Sequence, residues 1–179
     1  MIKRSDEVLT ILGIDPGYAI LGWGVIEYRA SRYKFVACGA VETHKDEEMP
    51  ERLKKLFRGL EGIIDKYKPD VCSAEELFFN NNQKTAIKVG EARGVALLAC
   101  ANAGLPVYEY TPLQIKQGLT GYGRADKKQM QEMVRQVLGL ERAPRPDDAA
   151  DAVAAAICHA NSSAHISRMA RYTGEKRNR

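Results

Sequence analysis

The sequence predicts an α/β fold in which a mixed five-stranded sheet is flanked by helices. Three consecutive segments near the amino terminus are rich in β-branched and aromatic residues, which is typical of strands joined by turns. Farther along, short apolar segments alternate with longer ones in which apolar residues recur at helical spacing. This alternation is typical of parallel strands connected by helices. The last third of the chain has helical spacing alone.

The first three predicted strands form an antiparallel meander. The apolar segment Val8–Ile14 ends at Pro16-Gly17, a pair that predicts a turn. Two further strands are predicted at Ile20–Tyr28 and Arg32–Glu42, where β-branched and aromatic residues are frequent. Since these segments are separated by only a few residues, we expect each strand to pair with its neighbour.

The remaining elements alternate between helix and strand within one domain. We expect a single domain over residues 1–163, because no low-complexity linker or internal repeat divides the chain. Residues 164–179 form a basic tail that we expect to be disordered. In order, the predicted elements are a helix Pro50–Tyr67, a strand Asp70–Ala74, a helix Gln83–Ala101, a strand Pro106–Tyr110, and helical segments after Thr111, at Asp126–Leu138 and at Asp148–Asn161.

Composition excludes several classes of protein. With 45% hydrophobic and 28% charged residues, the chain is suited to a globular domain. No run of ~20 apolar residues is present, so we expect no membrane-spanning helix, and the first residues lack the apolar core of an export signal. The four cysteines form no Cys-x-x-Cys pair and lie in apolar runs, which predicts buried, reduced thiols in a cytoplasmic protein.

The net charge of +4 is concentrated at the end of the chain. Residues 162–179 contain five basic residues and one acidic residue, so the preceding part is neutral overall. A neutral body attracts a polyanion only weakly, and binding to nucleic acid would require a local basic patch. The segment Pro112–Val137 is such a patch, with five basic and two acidic residues. Taken alone, a charge run of this kind is typical of a solvated helix face.

Acidic residues stand at three places where strands or a helix begin or end. Asp15 ends the first strand before a turn, where an Asp is ordinarily a turn residue. Glu75 and Glu76 follow the fourth strand, and strand alternation sends one to each face without indicating which. Asp148 and Asp151 share one face of the last helix, whereas Asp147 points away from it. The favourable interaction of an acid with the amino end of the helix dipole explains Asp148 better than Asp151. Asp151 is flanked by alanines, and if this face of the helix is buried, its carboxylate should be paired with a cation or coordinated to a metal.

Six segments of this sequence resemble those of the RuvC family of Holliday-junction resolvases. Their order and spacing agree with the family over residues 8–160. The resemblance implies an RNase H-like fold and a metal-dependent endonuclease that resolves four-way DNA junctions in homologous recombination and repair. The segments are Ile11–Gly17, Ala74–Phe79, Lys88–Gly94, Tyr110–Gln117, Ala125–Met130 and Asp148–Ala152.

The resemblance also implies which acids are catalytic. Glu75 is preferred to Glu76 because it is the first acid before the Leu-Phe pair. Phosphodiester hydrolysis requires charge stabilisation on the attacking and leaving oxygens, which two Mg²⁺ ions about 4 Å apart supply. We therefore expect two Mg²⁺ ions per site, for which Mn²⁺ can substitute. The residues implied to be both metal ligands and catalytic groups are Asp15, Glu75, Asp148 and Asp151.

Three further residues acquire a role in DNA binding through the resemblance. Lys116 and Lys127 of the basic segment become phosphate contacts or transition-state stabilisers close to the metals. Phe78 and Phe79 are adjacent, so both cannot face one core, and the ordinary explanation for the exposed one is packing at an edge. The family has an aromatic residue here that wedges against bases near the crossover, and Phe78 is chosen on position alone.

Three alternative functions are weighed. An ATP-binding protein of the actin and sugar-kinase class has a similar Gly-Ile-Asp-x-Gly turn but needs a second lobe, for which this chain is too short. A junction-binding scaffold without chemistry is disfavoured because carboxylates repel DNA. The main alternative is another nuclease of the RNase H-like fold, which would share the metals but act on a different nucleic acid.

Symmetric cleavage of a junction predicts a two-fold homodimer. Two nicks on strands of like polarity require two related active sites, which a closed dimer presents together. The helix Gln83–Ala101 offers a surface for it, because a stripe of small residues on one face allows close approach of another helix. The alternative is that this stripe packs only on the protein's own sheet. The family also implies association with the RuvA–RuvB branch-migration complex. The stripe consists of Ala86, Gly90, Gly94 and Leu97 or Leu98.

Overall fold

A mixed five-stranded sheet forms the centre of the protein, as the sequence predicts. The computed structural model describes the backbone of residues 7–76 and 83–177 and the side chains of 7–76 and 86–163. The strand order is β3-β2-β1-β4-β5. The elements are β1 (Leu9–Pro16), β2 (Ile20–Arg29), β3 (Arg32–Glu42), α1 (Met49–Tyr67), β4 (Val71–Glu75), α2 (Gln83–Asn102), β5 (Val107–Tyr110), α3 (Pro112–Thr120), α4 (Lys127–Val137) and α5 (Asp147–Arg177).

The sheet combines the predicted meander with two parallel strands. Strands β1, β2 and β3 pair antiparallel in sequence order, whereas β4 pairs parallel to β1 and β5 parallel to β4. Parallel pairing requires a crossover between the strands, and α1 and α2 provide the crossovers before β4 and β5. The carboxyl ends of β1, β4 and β5 therefore lie along the same edge of the sheet.

Two layers of helices cover the two faces of the sheet. Side chains alternate along a strand, so β1 sends Leu12 and Ile14 to the core beneath α1 and α2, and Ile11 to the core beneath the other three helices. Helix α5 lies across β1 and β2 on that second face. Its segment from Ala149 to Ala160 is almost entirely buried, which explains why this helix is so rich in alanine.

Glycines on β1 and β2 allow α5 to lie directly on the sheet. A β-carbon on Gly22 would stand 2.1 Å from the carbonyl oxygen of Asp148, and one on Gly13 would stand 1.9 Å from the carbonyl oxygen of Ala152. One on Gly24 would meet the side chain of Val153 at 2.3 Å. Larger residues at these positions would hold the helix away from the strands.

Helix α5 extends farther than the sequence pattern indicates. Its backbone is helical to Arg177, whereas apolar periodicity predicts an end at Asn161. The disorder expected for residues 164–179 stays a prediction.

The cysteines lie mostly in the interior of the protein, as their apolar runs predict. All four cysteines are free thiols; three are buried, and Cys38 is only half-buried. Among the described residues, no helix combines the length and the apolar character needed to cross a membrane.

Candidate active site

Asp15 and Glu75 lie side by side at the edge formed by the carboxyl ends of the parallel strands. In the β1–β4 register Ile14 is opposite Ala74, so the next residue on each strand is one of these two acids. Gly13 and Ser73 are also opposite each other, and the Ser73 hydroxyl donates to the carbonyl oxygen of Ala155 at 2.7 Å. Since residues two apart share a face, Asp15 and Glu75 point toward α5.

Strand alternation turns Glu76 away from this site. Glu76 is exposed, and its backbone N–H donates to the carbonyl oxygen of Tyr110 at 2.8 Å. The structure thereby distinguishes two acids that the strand pattern alone left equivalent. It places Glu75, the acid preferred by resemblance, beside Asp15.

The first turns of α5 bring two more acids to the same place. Asp15 is opposite Gly22 in the β1–β2 register, and the absence of a side chain on Gly22 lets the backbone of Asp148 approach. Asp151 lies one turn farther along the same helix face. Both carboxylates act electrostatically on Asp15, so four acids from three elements converge.

Burial and mutual repulsion make Asp15 hard to ionise. Burial, followed by the charges of Glu75, Asp151 and Asp148, raises the pKa of Asp15 from 3.8 to about 7 against an opposing effect of Lys127. Burial and the charge of Asp151 also raise the pKa of Glu75, against an opposing effect of Lys116. For Asp151, burial raises the pKa and Lys127 opposes it. The cluster therefore carries more negative charge than its cations compensate.

Lys127 reaches the acidic cluster from the start of α4. Its Nζ lies 3.4 Å from a carboxylate oxygen of Asp151 and 3.5 Å from one of Asp147. Partial burial lowers the pKa of Lys127, but the two carboxylates outweigh this effect and leave the pKa raised. Asp126 caps α4 in a reciprocal hydrogen-bonded pair with Gln129, which fixes the residue immediately before Lys127. Asp147 also pairs with Arg145 at 3.1 Å.

Lys116 approaches the cluster from α3. Its charge acts on the carboxyl group of Glu75. Helix α3 starts directly after β5, at the same edge of the sheet, and Thr111 caps it in a reciprocal pair with Gln114. The structure thus brings both lysines singled out in the sequence to the four acids. Phe78 lies outside the described residues.

The acids have the donor chemistry for a hard cation but are not gathered tightly. Among the side chains of residues 7–76 and 86–163, no three acidic, histidine or cysteine groups converge closely enough to form a ready-made metal site. Carboxylates without a cation between them repel one another, and Lys127 draws Asp151 toward itself. Oxygen donors from carboxylates are the ligands that Mg²⁺ and Mn²⁺ favour. Four carboxylates from three elements, with Lys116 and Lys127 the only described cations acting on them, supply such oxygen donors, so the residues fit such an ion.

Two groups of residues in this site were not singled out in the sequence. Gly13, Gly22 and Gly24 admit α5 to the sheet, and the alternation of Gly22 and Gly24 on one face of β2 is the signal that could have found them. Asp147 shares Lys127 with Asp151, whereas helical spacing alone predicted that it points away from the site. Its contact depends on the position of α4, which the spacing along α5 does not contain.

Carboxylates gathered at the strand ends of an α/β sheet, beside two lysines, form a site suited to cations and phosphate groups. A family model described as crossover junction endodeoxyribonuclease RuvC matches residues 11–159. Crossover junction endodeoxyribonuclease RuvC of Alkaliphilus oremlandii is 56% identical over 154 residues, covering 86% of this chain and 94% of the relative. That of Rubrobacter xylanophilus is 58% identical, covering 88% of each.

Solved structures agree with these sequence relatives. Thermus thermophilus RuvC in complex with a Holliday junction substrate matches with a TM-score of 0.81 and 35% identity, over 88% of this chain and 96% of the other. The yeast mitochondrial Holliday junction resolvase Ydc2 matches with a TM-score of 0.70 at 14% identity, over 98% and 86%, a likeness of fold. This chain belongs to the RuvC family of crossover junction endodeoxyribonucleases, and its fold is the predicted RNase H-like one.

Proposed function

We propose that this chain resolves Holliday junctions by metal-assisted hydrolysis of two symmetrically placed phosphodiester bonds, in homologous recombination and DNA repair. The observation that carries the proposal is the convergence of Asp15, Glu75, Asp148 and Asp151 on one edge of the sheet. A protein that only bound junctions would gain nothing from such a cluster, because carboxylates repel the phosphate backbone.

The four acids would hold the metal ions, which we take to be two Mg²⁺ per site with Mn²⁺ as a substitute. Bound there, the ions supply charge stabilisation to the oxygens that enter and leave the phosphorus. Asp15 and Glu75 come from strands of the sheet and Asp148 and Asp151 from the long helix packed on it. Ligands on rigid elements hold a fixed geometry better than ligands on loops, which suits a site that must align a phosphate group.

Lys116 and Lys127 would act on the DNA beside the cluster. Each is near one of the acids, so a phosphate group placed against the acids through metal ions would be within their field. An ammonium group there offsets the charge that develops on the phosphate oxygens. Lys127 would exchange its partners Asp151 and Asp147 for the phosphate as the DNA binds.

Cleavage of a mobile four-way junction tests the proposed reaction directly. Matched linear duplex and RNA–DNA hybrid are tested beside it, each with and without Mg²⁺. We expect paired nicks in the junction only, and only with the metal. Cleavage of the hybrid in preference to the junction would assign the chain to another RNase H-like activity, and junction binding without any cleavage would favour the scaffold alternative.

The same proposal includes a two-fold dimer built on α2. Ile87 and Leu98 on this helix are 65% and 53% exposed. A β-carbon on Gly90 or Gly94 would meet nothing within 4 Å. These residues follow helical spacing on one face, while Ala92, Ala96 and Ala99 face the core on the other. An exposed apolar face with glycines at its centre supports packing against a second copy of the helix.

Four further features remain proposals of the same kind. We place the protein in the cytoplasm, where its four free thiols would stay reduced, and we expect it to work with the RuvA–RuvB branch-migration complex through its family membership. Phe78 is proposed to wedge against bases near the crossover. Residues 164–179 are proposed as a basic tail outside the nuclease domain of residues 1–163.

A further inference from the structure

Arg52 holds the turn that follows Asp15 from inside the protein. It lies in the first turns of α1 and is only 7% exposed. Its Nε donates to the hydroxyl oxygen of Thr43 at 2.8 Å, and its Nη2 donates to the carbonyl oxygen of Tyr18 at 3.2 Å. The Thr43 hydroxyl donates to the same Tyr18 carbonyl at 2.8 Å. One buried guanidinium thus fixes a backbone group three residues after Asp15.

Backbone hydrogen bonds within the turn connect the fixed Tyr18 carbonyl group to Asp15. The N–H of Gly17 donates to the carbonyl oxygen of Asp15 at 3.1 Å, and the N–H of Thr43 donates to that of Ala19 at 2.9 Å. A β-carbon on Gly17 would lie 2.3 Å from the carbonyl oxygen of Ile20, so the turn is closed tightly on itself. Every residue from Asp15 to Ala19 other than Pro16 therefore has a hydrogen-bonded backbone group. Its partner lies either within the turn or on Arg52 or Thr43.

A charged group in this position requires a reason. The partners of Arg52 among the described residues are neutral oxygens and the ring of Tyr18, whose centroid is 4.8 Å from the guanidinium carbon. Burying a cation without a carboxylate partner is unfavourable, and an apolar side chain would fill the same space. The guanidinium does what an apolar side chain cannot do: it donates in fixed directions to two oxygens at once.

We propose that Arg52 is a positioning residue for Asp15, acting through Thr43 and the Tyr18 carbonyl to fix the carboxylate where a metal ion is bound. The inference rests on the proposed function, because the placement of Asp15 matters only if Asp15 is a metal ligand. Groups that orient metal ligands from behind affect metal affinity without touching the ion. Arg52 contacts neither substrate nor metal in this arrangement.

Substitution of Arg52 by an apolar residue of similar length tests the inference. Arg52→Met removes both donors, and Thr43→Val removes the hydroxyl with little change of shape. The matched control is Arg58→Met, on the same helix but exposed. Mn²⁺ binding to the DNA-free protein is measured by calorimetry. We expect binding about 10-fold weaker in Arg52→Met, a smaller loss in the same direction in Thr43→Val, and wild-type affinity in Arg58→Met.

Cleavage kinetics separate positioning from a general loss of structure. In both variants we expect the half-saturating Mg²⁺ concentration to rise while the rate at saturating Mg²⁺ approaches that of the wild type and junction affinity without metal is unchanged. A loss of folded molecules would instead lower the maximal rate and leave the half-saturating concentration as it was. If Arg52→Met does not fold, Thr43→Val decides between these outcomes.

Asp15→Asn distinguishes failure of this inference from failure of the proposed function. If Asp15→Asn is inactive but Arg52→Met and Thr43→Val bind Mn²⁺ as the wild type does, the positioning role is wrong and the proposed reaction stands. If Asp15→Asn cleaves junctions normally, the proposed role of Asp15 is wrong, and the positioning role falls with it.

Discussion

Asp15 illustrates how function and stability oppose each other in a single residue. Burial and three neighbouring carboxylates all disfavour its charged form and raise its pKa to about 7. Metal binding needs that charged form. The metal-free protein must therefore either keep a proton on Asp15 or accept the repulsion. A cation in the site removes this conflict.

The raised pKa of Asp15 predicts a specific dependence of stability on pH. Between about pH 4 and pH 7 the folded protein keeps a proton that the unfolded chain has lost, so the free energy of unfolding falls as the pH rises through this window. We expect Asp15→Asn to stabilise the metal-free protein at pH 8 by roughly 2–4 kcal/mol, since one pKa unit is worth about 1.4 kcal/mol. The difference should nearly vanish at pH 4. Urea unfolding at both pH values measures it.

Magnesium should reverse this ordering at pH 8. The ion stabilises the wild type because it binds the folded state alone, whereas Asp15→Asn lacks a ligand and should gain much less. A wild type that is more stable than Asp15→Asn at pH 8 in the absence of any divalent ion would contradict the electrostatic argument.

The four acids should differ from Glu76 in their effect on cleavage. We expect Asp15→Asn, Glu75→Gln, Asp148→Asn and Asp151→Asn to reduce junction cleavage by about 10³-fold or more, because each removes a proposed metal ligand. Junction affinity should be unchanged or higher, since a negative charge near the DNA is lost. Glu76→Gln is the matched control and should cleave as the wild type does. Full activity of Asp151→Asn would remove it from the proposed site.

The two lysines should affect turnover more than binding. Lys116→Ala and Lys127→Ala are expected to lower the single-turnover cleavage rate by about 10²-fold while changing junction affinity only a few-fold. Single-turnover cleavage and gel-shift titration of each variant provide the two quantities. Equal losses in rate and affinity would make them ordinary phosphate contacts rather than groups acting on the reacting phosphate.

Among the elements, α5 and the β1–β2 pair depend most closely on each other. The acids of α5 reach Asp15 only because Gly22, its partner in the β1–β2 register, leaves room for the helix backbone. Alanines on the facing side of α5 reduce the separation further. The site is therefore built by small residues as much as by acidic ones.

Adding one methyl group at Gly22 should separate α5 from the sheet. Gly22→Ala places a carbon 2.1 Å from the carbonyl oxygen of Asp148, so we expect a loss of about 1–3 kcal/mol in the free energy of unfolding together with strongly reduced cleavage. The control is Gly62→Ala in α1, where the new carbon would meet nothing within 4 Å. It should stabilise the protein by about 0.5–1 kcal/mol. Chemical denaturation and junction cleavage of both variants check this, and a harmless Gly22→Ala would contradict the packing argument.

At the scale of the whole molecule, α2 presents an exposed apolar face that the described part of a single chain does not cover. Two cleavages at symmetric positions need two sites held in a fixed relation. The proposed dimer would cover Ile87 and Leu98 on the exposed face of α2. It would also hold two acidic clusters in a fixed relation within one assembly.

A bulky residue at the centre of the α2 face should prevent dimerisation without affecting the fold. Gly94→Leu adds a side chain where the chain itself has open space, so the monomer should fold and bind metal normally while resolution of junctions is lost. Light scattering at micromolar concentration measures the mass, and Gly62→Ala again serves as a control. A wild-type protein that remains a 19.9 kDa monomer and binds junctions one to one would contradict the dimer.

Local patterns in the sequence were sufficient for the elements and for most of the acids. Apolar periodicity and turn residues located all five strands, because alternation and helical spacing are properties of a few neighbouring residues. The prediction for α5 ended at Asn161, whereas its backbone is helical to Arg177. Asp15 and the pair Asp148 and Asp151 became candidates from their positions at the ends of elements, and their assignment as metal ligands came from the resemblance to the RuvC family.

Only the tertiary structure decided which side chains meet. Strand alternation separated Glu75 from Glu76, but the face that α5 covers determines which of them joins Asp15. The same holds for Lys127, whose partners lie on another helix, and for Arg52, which reaches the turn after Asp15 from α1. Contacts of this kind depend on how distant elements pack, and no pattern within one element contains that information.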